Sequence, residues 1–544
     1  MKKIILSIFL LLHIQSTFAF DITLPSIFAD HMVLQRSQKV PVWGTTQANA
    51  MVEVSFADQK KQVKADVEGN WRIDLEPLEA SSESRVLTVT SQYNNEVTTL
   101  RILDVLVGEI WLCSGQSNMY RPFRMLMGEA VQPEYEPIAA YLRKEAATAN
   151  DPLFRQFKVG PDYSVLQEKY LGRGNWSKAV HGEVNEFSGT AYFFGRELRR
   201  ELQVPVAILS CSLGATRIEP WIPKEAYQEN DILKVAYNEE LAQYKNSLAS
   251  WDTFKEDEKY KQLLTDWEVQ VEQAEREGKK APSKPRKSVH PDRDRQIPAT
   301  LFNAMIHPLI PFAVKGALWY QGESNTEQGA ATYGLKLSNM IESWRKAWGQ
   351  DTFYFYTCQL ANYKTPNQEP VADEDGWALV SYGQSQSLKL PNTGLAVLND
   401  IGEEKDIHPK NKIDAGKRLS LWALNQAYKK DIVYSGPLYK TSTIKRDKII
   451  IEFDNVGSGL MVGKKQFMEP TIEVQEPLSR FQIKGTDGLW KWAKAKILNK
   501  NQVEVWHTDI EHPVEVRYAW SSNPQGANLY NKEGLPTSLF KTQD

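Results

Sequence analysis

The chain has little sulfur, little histidine and little net charge: 544 residues carry three cysteines and eight histidines, and the formal charge is −3. Cys113, Cys211 and Cys358 are widely spaced, each at or near the end of an apolar run. An odd count cannot complete a disulfide framework, and such spacing without clustered histidines does not fit a zinc site. They read as buried thiols at strand ends. The near-neutral balance gives no global field to draw in nucleic acid or an anionic surface. The short basic run Lys279–Lys287 reads as a solvated loop. There is no internal repeat, no low-complexity tract and no extended apolar lid segment, which argues against a lipase. The apolar run at the start, Ile4 to Leu12, is too short to span a bilayer. Preceded by Lys2 and Lys3 and followed by Ser16-Thr17-Phe18-Ala19, it reads as a signal peptide over 1–19. No cysteine follows it at a lipid-attachment position, so the expectation is a soluble exported protein, periplasmic or extracellular. Removing Lys2 and Lys3 takes the formal charge from −3 to −5.

Hydrophobic residues make up 42% of the chain, with 16 Trp and 22 Tyr, the mark of a globular protein rich in aromatic faces. A prior of about 150 residues per domain implies about three units. From 20 to 104 short β-like runs (Val40 to Trp43, Val52 to Phe56, Trp71 to Leu75, Val86 to Val89, Val97 to Leu103) alternate with Gly, Asn, Asp and Ser, which predicts an N-terminal β-sandwich. From 431 to 544 the β rhythm returns, as in Lys448 to Phe453, Val503 to Trp506 and Val514 to Tyr518, and predicts a second sandwich.

Between them, over 105–430, buried-strand runs alternate with helical segments. The strands are Val105 to Cys113, Val204 to Ser210, Val314 to Tyr320, Phe353 to Cys358 and Leu395 to Leu398; helices are expected at Thr190 to Leu202, Tyr333 to Trp348 and Lys412 to Tyr428. This alternation predicts an α/β domain, a doubly wound, mostly parallel five-stranded sheet. One interval, about 225 to 290, is too long for a crossover and too charged for a core; its rhythm through Leu241, Tyr244, Leu248 and Trp251, then Tyr260, Leu263, Leu264 and Trp267, predicts an inserted helical hairpin.

Chemistry is expected where the strands end, because open parallel sheets bind ligands outside the carboxyl ends of their strands. The first strand stops at Ser114-Gly115-Gln116-Ser117-Asn118 and offers Ser117. The second ends in a loop with Gly214, whose missing side chain lets a backbone N–H approach a developing oxyanion, and with Arg217. The third ends in Gln321, Glu323 and Asn325, an amide, a carboxylate and a second amide. The fifth leads to Asp400, Glu403, Asp406 and His408.

A serine hydroxyl needs a base to become nucleophilic, and neutral imidazole suits that task near pH 7. Of the other histidines after residue 19, His31, His507 and His512 fall in the β domains, His290 in the basic loop, and His307 before the third strand, on the wrong edge. Position alone does not exclude His181. His408 follows the fifth strand and is the base candidate.

Taken together, GEIWLCSGQSNM around Ser117, the Gly214 loop, WYQGESN around Gln321 and DIHPKNK around His408 resemble the carbohydrate O-acetylesterases of the SGNH hydrolase superfamily, in particular the sialate O-acetylesterase family and its acetylxylan esterase relatives. LPSIFADHMVLQRSQKVPVWG near the N-terminus and NLYNKEGLPTSLF near the C-terminus extend the resemblance over nearly the whole chain after residue 19. The resemblance implies an SGNH-hydrolase, flavodoxin-like sheet, with Ser117 as nucleophile, His408 as base, and an oxyanion hole of the Ser117 and Gly214 backbone N–H groups with the Gln321 side chain. Arg217, Glu323 and Asn325 are the candidates for substrate contact, with an ion pair as the alternative for Arg217 and a loop-fixing carboxylate for Glu323.

One position departs from the superfamily, whose last motif has Asp three residues before His; here it is Lys405. Asp406 is the leading third member, Asp400 and Glu403 are alternatives, and a backbone carbonyl holding the imidazole would leave a Ser-His dyad. No metal or organic cofactor is called for. The expected partner is an acetylated carbohydrate, with no nucleic acid and no membrane span; the oligomeric state is left open. O-acetylated sialic acid is the leading substrate, acetylated xylan or another hemicellulose the alternative. A non-catalytic carbohydrate-binding protein is the reading from a different class.

Overall fold

In a computed structural model, residues 21–128, 132–350 and 352–543 are described. The stretch 1–19, expected to be a signal peptide, lies outside the described residues.

One strand runs through the centre of the molecule. Glu96–Gly115 is a single strand of 20 residues, although its sequence reads as two apolar runs separated by Asp104. Its first half pairs antiparallel with Ser81–Tyr93 and exposes Val97 and Leu103. From Val105 on, every residue is buried, as expected of a strand with parallel neighbours and helices on both faces. Asp104, at φ +55°, marks the change. Its carboxylate holds Arg155 at 3.0 Å, and the same guanidinium donates to the carbonyl oxygens of Asp104 at 2.6 Å and His31 at 2.7 Å. The sandwich predicted to end at 104 is therefore continuous with the central sheet. Its remaining strands include Met51–Phe56 and Gln59–Lys64, with Val40–Thr45 paired to Asn70–Leu75.

The central sheet has two strands more than the five expected. Its order is Thr393–Ala396, Tyr354–Cys358, Gly316–Tyr320, Glu96–Gly115, Val206–Ser212, Asn150–Val159, Gly174–Val180. The first six are parallel and Gly174–Val180 is an antiparallel edge. Asn150–Val159 escapes a reading by hydrophobicity because it buries Arg155 and Gln156, whose polar groups are met by partners from distant segments.

Side chains alternate between two cores, one per face. Trp111 and Cys113 belong to one, with Phe194, Leu419 and Trp422 from the helices Gly189–Leu202 and Lys412–Trp422. Ile110 and Leu112 belong to the other, with Leu337, Trp344 and Val380 from Tyr333–Trp348 and Gly376–Gln386. The second core runs on into the N-terminal sandwich, so the two units share one interior. The C-terminal sheets enclose a separate core around Ile449, Ile451, Phe481, Val503 and Val516.

The inserted hairpin consists of Asp231–Ser250 and Thr253–Arg276, capped by the side chains of Asn230 and Asp252. Few of its residues are buried, Leu233, Tyr237 and Ala274 among them. No helix among the described residues is long and apolar enough to cross a membrane.

The strand order puts Glu96–Gly115 at the point where the chain changes direction across the sheet. The connection after Gly115 runs to one side of it, to Asn150–Val159, and the connection after Tyr320 runs to the other, to Tyr354–Cys358. Gly115 pairs in register with both Ser212 and Tyr320, so three strand ends open at one crevice.

Candidate active site

Gly115 ends the central strand at φ +135°, and any β-carbon there would lie 2.2 Å from the Tyr320 carbonyl oxygen. Only glycine fits, and the chain can turn at once into the single helical turn Ser117–Tyr120. Ser117 opens that turn, half-buried at the crevice.

His408 reaches it from the loop after the last parallel strand. His408 Nε2 lies 2.9 Å from Ser117 Oγ. Asp406 accepts the His408 backbone N–H at 2.9 Å and has the same carboxylate oxygen 3.4 Å from His408 Nδ1. Burial works against the Asp406 carboxylate, but the hydrogen bonds and charge of His408, with the Arg121 guanidinium, outweigh it and hold the carboxyl below its usual range. The two other acids are engaged elsewhere. Asp400 receives Arg418 at 2.6 and 2.8 Å and the Tyr530 hydroxyl at 3.2 Å. Glu403 accepts the Lys410 N–H at 2.7 Å, and burial raises its carboxyl. Lys405, at the superfamily's acid position, is exposed.

The loop after Val206–Ser212 runs alongside Ser117, with a β-carbon built on Gly214 lying 3.6 Å from Ser117 Cβ. Neither the Ser117 nor the Gly214 backbone N–H donates a hydrogen bond among the described residues. Gln321 differs from expectation. It is fully buried, and its amide nitrogen donates to Asn325 Oδ1 at 2.8 Å, Thr216 O at 3.1 Å and Gln116 Oε1 at 3.2 Å. Its two hydrogens are spent on bracing the loops, so it presents no donor to the crevice.

Each of the three candidates for substrate contact has partners within the protein, Arg217 and Glu323 in the alternative roles left open for them. Arg217 pairs with Glu240 on the inserted hairpin at 3.1 Å, and so anchors the insertion to the loop beside Ser117. Asn325 is buried behind Gln321, its amide nitrogen on Glu219 at 3.0 and 3.2 Å, and Glu219 in turn holds Lys336 at 2.6 Å. Glu323 is buried beneath the site. One of its oxygens accepts from Asn118 Nδ2, the other has no partner, and burial raises its carboxyl. It fixes the loop.

Two residues close to the centre were not singled out from the sequence. Lys412, fully buried, donates to Asn118 Oδ1 at 2.5 Å. Arg121, four residues after Ser117, brings Nη2 to 2.9 Å from His408 Nδ1. The spacing of Arg121 along one helical turn is the signal that could have found it.

Chemically, the arrangement sets an imidazole against a serine hydroxyl and offers two backbone N–H groups to the anion that the serine's attack creates. Residues 296–421 match the family described as carbohydrate esterase, sialic acid-specific acetylesterase. The chain is 27% identical over 553 residues to a sialate O-acetylesterase of Mus musculus, covering 95% of this chain and 94% of that one. With a sialate O-acetylesterase of Homo sapiens it is 25% identical over 446 residues, covering 76% and 72%. A solved structure of a carbohydrate acetylesterase from Xanthomonas citri superposes with a TM-score of 0.75 at 34% identity, over 96% of this chain and 100% of that one. Fold, strand-end motifs and whole-length similarity agree, and the chain belongs to the carbohydrate acetylesterase family that includes the sialate O-acetylesterases.

Proposed function

We propose that this chain is a serine esterase that removes O-acetyl groups from carbohydrates, with O-acetylated sialic acids as its substrates. The observation that carries the chemistry is the 2.9 Å approach of His408 Nε2 to Ser117 Oγ. His408 takes the hydroxyl proton as Ser117 attacks the acetyl carbonyl carbon. The resulting oxyanion is held by the backbone N–H groups of Ser117 and Gly214, and Asp406 orients the imidazole and offsets its positive charge. The tetrahedral intermediate expels the sugar oxygen, which takes the proton from His408. Water, deprotonated by His408, then attacks the acetyl-serine and releases acetate.

The sugar is supported by the sialate specificity of the matched family and of the curated relatives. Export is supported by the charged, apolar and small-residue order of residues 1–19. The esterase would then meet its substrate outside the cytoplasm. The test is acetate release from O-acetylated sialic acid, acetylated xylan, acetylated mannan and a chromogenic acetyl ester. Ser117→Ala and His408→Ala are expected to lose about 10³-fold or more of kcat on every ester cleaved. Near-normal turnover by either variant would refute the mechanism, and a preference for xylan would refute the sugar.

A further inference from the structure

Arg121 stands at the centre of the site without a counter-ion. Its backbone N–H donates to the Ser117 carbonyl at 2.9 Å, which fixes its origin one helical turn from the nucleophile. Among the described residues no carboxylate lies within ion-pair distance of its guanidinium, and Nε is enclosed without a hydrogen-bond partner. Other guanidiniums drawn into this protein have oxygen partners: Arg155 with Asp104, Arg199 with Asp151, Arg217 with Glu240 and Arg418 with Asp400, and Arg345 and Arg480 with backbone carbonyls. Burial holds the Arg121 guanidinium below its usual range, and Asp406 acts in the other direction only through space. A half-buried cation kept unpaired is costly, and the stabilising partner it lacks is an anion from outside the chain.

Its contact with His408 gives that vacancy a chemical consequence. A guanidinium has donors and no acceptor, so Nη2 at 2.9 Å from Nδ1 requires the Nδ1 lone pair. In that tautomer the ring proton sits on Nε2, the atom facing Ser117 Oγ, and neutral His408 donates to the serine where a base must accept. Asp406, 3.4 Å from Nδ1, favours the opposite tautomer once Arg121 withdraws.

We propose that Arg121 is the specificity residue of this site. It binds the carboxylate of an acidic sugar through its planar fork, and in turning to that carboxylate releases Nδ1 of His408 to Asp406. The ring gives up the Nε2 proton to water and takes one at Nδ1, with no net change in charge, and Nε2 becomes the acceptor that Ser117 needs. This rests on the Ser117–His408 reading above and adds to it the residue that recognises the sugar's carboxylate and the step that this recognition triggers at His408.

Two measurements test it. In the first, kcat/KM is compared for O-acetylated sialic acid, its methyl ester and a neutral chromogenic acetate, using wild type and Arg121→Met. The wild type is expected to prefer the free acid over its methyl ester by about 10-fold or more, the range of a charge-assisted hydrogen-bond pair. Arg121→Met is expected to abolish that preference, losing about 10-fold more kcat/KM on the free acid than on its methyl ester or the neutral acetate. Equal losses on all three esters would overturn the proposal, leaving Arg121 as a support for His408 alone. In the second, calorimetry of deacetylated sialic acid and its methyl ester reads carboxylate recognition without ester cleavage, so it stands even if the esterase reading fails. Arg121→Met is expected to lose the wild type's tighter binding of the acid. A binding preference for the acid that survives in Arg121→Met, or none in the wild type, would overturn the proposal.

Discussion

The ammonium of Lys412 donates to Oδ1 of Asn118 at 2.5 Å, so a buried cation holds the residue that follows the candidate nucleophile. The other end of the same amide donates to the Ile407 carbonyl at 3.0 Å and to Glu323. One side chain thus ties together the turn of Ser117, the loop of His408, the loop of Glu323 and the helix Lys412–Trp422. Truncation would leave the Ile407 carbonyl, the Glu323 carboxyl and the Lys412 amine unsatisfied in the interior. Asn118→Ala is expected to cost about 2–4 kcal/mol in a denaturant titration and to lower kcat on a chromogenic acetate by at least about 10-fold.

Lys412 also sets a pH dependence of stability. Burial lowers its ammonium to about 7 from the usual 10.5. Between those two values the unfolded chain holds a proton that the folded protein has released. Stability from this group therefore rises with pH from about 7 upward, by at most about 1.4 kcal/mol per pH unit. Below about 7 both states carry the proton and the slope from Lys412 vanishes. Unfolding free energies at pH 7 and 9, wild type against Lys412→Met, check the sign. The wild type is expected to gain on the variant at the higher pH.

The acids of the His408 loop are expected to separate by the kind of damage their loss causes. Asp406→Ala removes the acceptor of the His408 N–H and the carboxylate nearest Nδ1. It is expected to lower kcat by about 10²-fold or more, with little change in Tm. Asp400→Ala strands the buried Arg418 and is expected to cost about 3–5 kcal/mol while the folded fraction keeps near-normal kcat. Acetate release and thermal melts of the two variants distinguish them, and equal small losses in kcat would indicate a dyad.

Gly214 has room for a methyl group, with 3.6 Å to Ser117 Cβ, so Gly214→Ala is expected to fold with little change in Tm. The added methyl stands where the acetyl group must approach the backbone N–H. A fall in kcat of about 10-fold or more is expected on the chromogenic ester. A fall in Tm with unchanged kcat would show that Gly214 serves the turn alone.

The sequence by itself determined the local features. Apolar runs predict strands near 105, 204, 314, 353 and 395, and the first, second, third and fifth are followed by the polar clusters that carry Ser117, Gly214, Gln321 and His408. These features are legible because strand period and turn chemistry depend on neighbours a few residues away. Asn150–Val159 was not legible, since its buried Arg155 is stabilised by Asp104 and His31 from other segments.

Tertiary structure decided which of those polar groups remain available. Gln321 and Gly214 stand in equally suggestive loops, yet the Gln321 amide is consumed by three internal acceptors and the Gly214 N–H is not. Arg217 and Arg121 are both arginines near the nucleophile. Glu240 takes the first, and among the described residues no acid forms an ion pair with the second. Whether a polar side chain braces the fold or faces a substrate depends on what lies within about 3 Å of it. In this chain those neighbours come from distant segments, as with Ser117 and His408, which are 291 residues apart.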